Sequence, residues 1–207
     1  MEVIEEFKTV ASVFETKLKE KGSLFLGQVY PVTNQPQAEI ILTEVRKKFY
    51  DATHHCYAMM TIEGNIKYSD DGEPSGTAGL RILNAVQHFK VQNVLLIVIR
   101  YFGGVKLGVG PLGKAYYNSA YMTLSESSII TKVTYRKLKL VFDFPESGQV
   151  HHLLSLFHIR DIRNLYNDEC EMEFMIRLTE VNEFIRKKEE LLRNKVHLKV
   201  MDELVYL

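Results

Sequence analysis

The stretch NVLLIVIRYF, residues 93–102, constrains the fold more than any other part of the chain. It is far shorter than the roughly 20 apolar residues that span a bilayer. It also lacks the polar alternation of a strand with one wet face. A short, continuously apolar run of this kind reads as a strand covered on both sides. Whatever sheet contains it must be packed above and below.

The flanking patterns supply the cover. Asn34 can cap a helix, Pro36 suits its first turn, and Ile40, Ile41, Val45 and Phe49 form its apolar stripe. Thr77 can cap a second helix through AGLRILNAVQHFK, where Leu80, Leu83, Val86 and Phe89 recur at helical spacing. LGKAYYNSAYMTLSES reads as a third helix. Before them, Val10 to Leu18, the turn-like KEKGS and LFLGQVYPV read as a β-hairpin, preceded by a short helical or frayed segment. HHCYAMMTIEG is a strand with a return in NIKYS.

Near residue 134 the pattern restarts. YRKLKLVFDF, PESGQVHHLLSLF, IRDIRNLYN, ECEMEFMIRL, EVNEFIRKKEELLRNK and VHLKVMDELVYL read as β-α-β-β-α-β, the ferredoxin-like split unit. The two middle strands would join near Asn167 and Asp168. The expectation is an α+β chain of two domains, 1–133 and 134–207.

Composition limits the function. Twenty-six Lys and Arg balance 26 Asp and Glu, so binding to nucleic acid needs a local basic patch. The start, MEVIEEFKTV, mixes acids and lysine where a secretory leader needs a basic end and an apolar run. Cys56 and Cys170 stand far apart and suggest no disulfide framework. A cytoplasmic protein is expected.

Two loops carry the chemistry. In SDDGEPSGTAG, Asp70, Asp71 and Glu73 are oxygen ligands suited to a divalent cation, and Asp71 or Glu73 could act as a general base. The same residues also suit an Asp-Gly turn followed by a helix cap. In RYFGGVKLGVGPLGKAY, Gly108, Gly113 and Lys114 imitate a nucleotide-binding P-loop. Ala115 replaces its hydroxyl residue and Pro111 removes an amide, so that reading fails. What survives is a glycine-rich entry to a helix, where free amides favour an anion. Arg100, Lys106 and Lys114 would add charge, while Gly103, Gly104, Gly108 and Gly110 could simply permit left-handed turns. His54 and Cys56, two apart on a strand, share a face and form a candidate base and nucleophile, or two metal ligands. A buried cysteine acting as a small hydrophobe is the plainer alternative.

The series DATHHCYA, YSDDGEPSGTAG and IRYFGGVKLGVGPLGKAY resembles the signature of the IMPACT/YigZ family, over essentially the whole chain. The resemblance implies a first domain of the fold shared by domain IV of elongation factor G and a ribosomal-protein domain, and a second like domain V. That pairing points to RNA or the ribosome as partner, with a metal-dependent hydrolase or phosphotransferase and a protein-binding regulator as alternatives. The motif positions fall on His54, Cys56, Asp70, Asp71, Gly72, Glu73, Pro74, Gly76, Thr77, Gly79, the run Arg100, Tyr101, Phe102, Gly103 and Gly104, then Leu107, Gly108, Gly110, Leu112 and the helix start Lys114-Ala115-Tyr116, with Ser75 inside the acidic loop. This chain departs from many relatives at Leu80-Arg81, where they have proline, and at Pro111, where they have glycine. Eukaryotic members act on a translation-control kinase and carry an extra RWD domain, for which this chain has no room. The kinase role is therefore not carried over.

Overall fold

A computed structural model describes residues 4–166 and 170–207. The chain forms two units, Phe7–Thr131 and Lys132–Leu207 with the residues before Phe7. Together they hold five helices and two antiparallel sheets among the described residues, an α+β architecture.

The first unit is built on five strands, β2 (Phe14–Glu20), β3 (Ser23–Pro31), β4 (His54–Met60), β5 (Ile66–Ser69) and β6 (Val94–Tyr101), in the order β2-β3-β6-β4-β5. The apolar run is β6, and it is central, as its composition requires. Val94, Leu96 and Val98 face one core; Leu95, Ile97 and Ile99 face another. Helix α1 (Gln35–Lys48) covers the second face, while α2 (Gly79–Phe89) and α3 (Val109–Glu126) cover the first.

Several expectations need correction. The segment before the hairpin is strand β1 (Glu6–Val10), neither helical nor frayed, because Phe7 and Val10 are buried and Lys8 O accepts from Gln92 N. The stripe of α1 runs through Ala38, Leu42 and Val45, and Ile40 is 61% exposed. Asn34 does cap this helix, accepting from the Gln37 amide. Thr77 does not cap α2, since its hydroxyl donates to Pro74 O. Helix α3 begins earlier than its apolar pattern, at Val109, so Gly110 and Pro111 lie in its first turn. Proline is tolerated there because a first-turn amide has no intrahelical acceptor.

The second unit contains β7 (Ile129–Phe142, shared with the first), α4 (Ser147–Ser155), β8 (Ile159–Tyr166), β9 (Cys170–Arg177), α5 (Val181–Leu192) and β10 (Val196–Tyr206). Its strands lie in the order β10-β7-β9-β8. The junction expected near Asn167 and Asp168 lies outside the described residues. Lys137 pairs with Glu173 and Lys139 with Glu171 across neighbouring strands, so these basic residues of the sheet are already neutralised. No helix among the described residues is long and apolar enough to cross a membrane.

Candidate functional site

Strand register fixes the first part of the site. Arg100 is paired with Phe25 on one neighbouring strand and with His54 on the other, which sets the three abreast across β3, β6 and β4. His54 and Cys56 do share the α2/α3 face, with His55 and Tyr57 opposite. The acidic loop leaves β5 beside them and turns back into α2.

That loop sends its carboxylates in three directions. Asp70 accepts from the amides of Gly76, Ala78 and Gly79 at 2.8–2.9 Å and so caps α2 in place of Thr77. Asp71 accepts from Arg46 at 2.7 Å and from the His55 amide at 2.7 Å. Glu73 turns inward, where its Oε1 accepts from Arg100 Nη1 at 2.6 Å and from the Tyr116 hydroxyl at 2.7 Å. The expected cation set of Asp70, Asp71 and Glu73 is therefore not convergent. Among the described residues no three His, Cys, Asp or Glu side chains are grouped to hold a metal ion.

The Glu73–Arg100 pair is the centre of a buried network. Arg100 is 5% exposed and Glu73 9%. The guanidinium also donates to Ser23 Oγ and lies 5.4 Å from the Phe25 ring centroid and 5.5 Å from that of Phe102. Ser23 Oγ accepts in addition from the Gly103 amide. A side chain at Gly103 is excluded, because a Cβ there would stand 1.9 Å from the carbonyl carbon of Gly22. This close backbone contact ties the β2–β3 turn to the second glycine loop.

His54 and Cys56 flank the network without completing a catalytic set. His54 Nδ1 lies 2.7 Å from Asp71 O, and its Nε2 is 3.8 Å from Glu73 Oε2. The Cys56 thiol donates to Asp70 O at 3.0 Å and sits 3.4 Å from Tyr116 Oη. Burial pushes that thiol well above its ordinary pKa, and the neighbouring Glu73, Asp71 and Asp70 add to the rise. Burial likewise raises Tyr116, which keeps its proton to donate to Glu73. Since the thiolate is the reactive form, Cys56 is expected to be inert in the folded chain. In labelling with a thiol reagent, read residue by residue by mass, the less buried Cys170 should react first and Cys56 only as the chain unfolds. Rapid modification of Cys56 under native conditions would contradict this reading.

The two loops do share a hollow. A cavity of about 360 Å³ is lined by Glu73, Arg100, Phe102, Lys106, Gly108 and Val109, among others. Lys114 does not reach it. With Gly110, it lines a second cavity of about 360 Å³ between α2 and α3, with Arg81, Asn84, Gly113 and Tyr117. Gly113 lets Arg81 lie close over α3, since a Cβ would stand 3.2 Å from Arg81 Nε and the exposed side chain would have to shift. Of the other expected contacts, the Gly76 amide is spent on Asp70, Thr77 on Pro74 and the Gly103 amide on Ser23. Ser75 and Gly104 are exposed and line neither cavity.

Three residues of the site were given no chemical role from sequence: Phe102 and Tyr116, which stand in the motif, and Arg81, which departs from it. The missed signal is one of charge. Residues 74–125 hold no Asp or Glu, although Arg81, Lys90, Arg100, Lys106 and Lys114 all fall within them. Outward from the second cavity the same surface becomes aromatic, with the Tyr121 ring 5.9 Å from Tyr117 and 5.4 Å from His88.

Comparison with known proteins adds the lineage. The family description Impact N-terminal domain matches residues 21–124. IMPACT family member YvyE of Bacillus subtilis is 30% identical over 99% of this chain and 95% of its own length. IMPACT family member YigZ of Escherichia coli is 27% identical over 88% of this chain and 92% of its own. A crystal structure described as that of a hypothetical protein superimposes with a TM-score of 0.69 at 25% identity, covering 97% of this chain and all of the other.

Proposed function

The chain belongs to the IMPACT family, and on that premise we propose that it binds single-stranded RNA, on its own or within the ribosome, through the α2/α3 face of the first unit. One observation carries the reading. An acid-free stretch of sequence, residues 74–125, supplies all of the second cavity's lining and all but Glu73 of the first's, and places exposed Lys106, Arg81 and Lys114 at them. Zero net charge is no obstacle to a local basic surface of this kind. Cations that track a backbone, interleaved with aromatic rings on which bases stack, suit a single strand. Tyr117, Tyr121 and Phe102 supply such rings beside the lysines.

The second unit supports the translational setting in a different way. Its element order and the strand order β10-β7-β9-β8 favour the ferredoxin-like reading and hence the likeness to domain V of elongation factor G. Lys137 and Lys139 of its sheet are spent on Glu173 and Glu171, so the main contact with RNA is assigned to the first unit.

Filter binding of the full chain to single-stranded RNA and to ribosomes across a salt series tests this. Lys106→Ala with Lys114→Ala should weaken binding uniformly across sequences and flatten the salt dependence by about one unit of slope per lysine. Arg81→Ala should act in the same sense. Absence of binding at low salt, or indifference to these changes, would overturn the reading. A partner retained after nuclease treatment would favour a protein-binding regulator instead.

A further inference from the structure

Within that reading, which this inference presupposes, we propose that the cavity over the Glu73–Arg100 pair receives one unstacked nucleobase, guanine by preference. The cavity has the two surfaces such a ligand needs. Its wall is apolar and open to solvent: Phe102 is 47% exposed and Val109 67% exposed. Phe102 is nevertheless held in place, because its amide donates to Thr53 Oγ1 at 3.0 Å. An exposed aromatic ring on an anchored backbone is a stacking platform, and unstacked bases are taken up on such rings and read along their polar edges.

The polar lining has unused hydrogen-bonding capacity. Glu73 spends Oε1 on Arg100 and Tyr116, while among the described residues its Oε2 makes no hydrogen bond and stands 3.8 Å from His54 Nε2, beyond hydrogen-bond reach. Arg100 spends Nη1 on Glu73 and Nη2 on Ser23, and its Nε is a buried donor with no partner among the described residues. A buried donor left unmade is costly and needs an explanation; Arg136 Nε and Arg177 Nε share that state, and what sets Arg100 apart is that its side chain lines the cavity. A carboxylate acceptor beside a guanidinium donor complements guanine, which presents adjacent N–H donors and a carbonyl acceptor on one edge. Uracil and cytosine offer the carboxylate fewer donors.

The nucleotide's phosphate also has a place. Lys106 is at the cavity, and the first turn of α3, entered at Gly108, presents amides without intrahelical acceptors. The second cavity, also at the start of α3, offers Arg81 and Lys114 to a neighbouring phosphate of the strand. The volume of about 360 Å³ is at the small end of the roughly 300–1,000 Å³ usual for ligand pockets, as a single base requires.

The chain contains no tryptophan, so Phe102→Trp creates a sole indole reporter at the cavity wall. In the full chain, its fluorescence should be quenched saturably by guanosine monophosphate, at about tenfold lower concentration than by uridine or cytidine monophosphate. Ribose 5-phosphate should not quench it. No saturable quenching by guanosine monophosphate, or equal quenching by ribose 5-phosphate, would overturn the base pocket. Equal response to all bases would overturn the guanine assignment. Wild-type filter binding to RNA is read separately. If RNA binding persists without quenching, only the pocket falls; if RNA is not bound at all, the parent reading falls with it.

Discussion

Replacing Arg100 by alanine should destabilise the first unit by about 3–5 kcal/mol, the range for removing one member of a buried ion pair. The loss exceeds the value of the pair itself. Glu73 would keep the Tyr116 hydroxyl but lose the Arg100 guanidinium at 2.6 Å, in a place where it is 9% exposed. The guanidinium also lies within 5.5 Å of the Phe25 and Phe102 ring centroids and donates to Ser23, so the β2–β3 turn loses an anchor. Urea unfolding of the full chain measures the effect. Removing both charges, as Arg100→Met with Glu73→Leu, should recover much of the stability, because no charge is left buried and unpaired. A loss below about 1 kcal/mol for Arg100→Ala would mean that Glu73 is hydrated far more fully than its burial implies.

The second large effect separates two neighbours that look alike in sequence. Asp70→Ala should cost several kcal/mol, since it strands the amides of Gly76, Ala78 and Gly79, at about 1–3 kcal/mol for each buried donor left unmade. Asp71→Ala should cost less. Its ion pair with Arg46 is half-exposed, worth about 1 kcal/mol or less, and only one backbone amide, that of His55, depends on it. Asp70→Asn should fall between, because one carbonyl oxygen can still serve the start of α2. Hydrogen exchange at the Ala78 and Gly79 amides gives the local readout, with protection lost in Asp70→Ala and kept in Asp71→Ala. Equal stability losses in the two variants would remove Asp70 as the organiser of the loop.

These contrasts mark where sequence reading succeeds. The run in β6 identified the central strand because being apolar on both faces has few other causes. The 3.6-residue period located α2, whereas the expected restart near residue 134 falls inside β7, which begins at Ile129. Periodicity was weaker where apolar residues crowd together: in α1, Ile40 and Ile41 are adjacent on the chain, but only Ile41 packs on the core. The start of α3 was missed because Gly108 and Gly110 imitate a loop, while the first helical turn asks little of its residues.

By itself, then, the chain's sequence determined the order of its elements, the double burial of residues 94–99, the face shared by His54 and Cys56, and its kinship with the IMPACT family. Those features follow from local periodicity and from which residue types stand next to one another. The tertiary structure alone decided that Asp70 caps a helix, that Asp71 binds Arg46 and that Glu73 lies under Arg100 and Tyr116. Each choice depends on partners distant in sequence and on how far water is excluded once they meet. Three carboxylates within four residues are chemically alike until folding gives each a different neighbour.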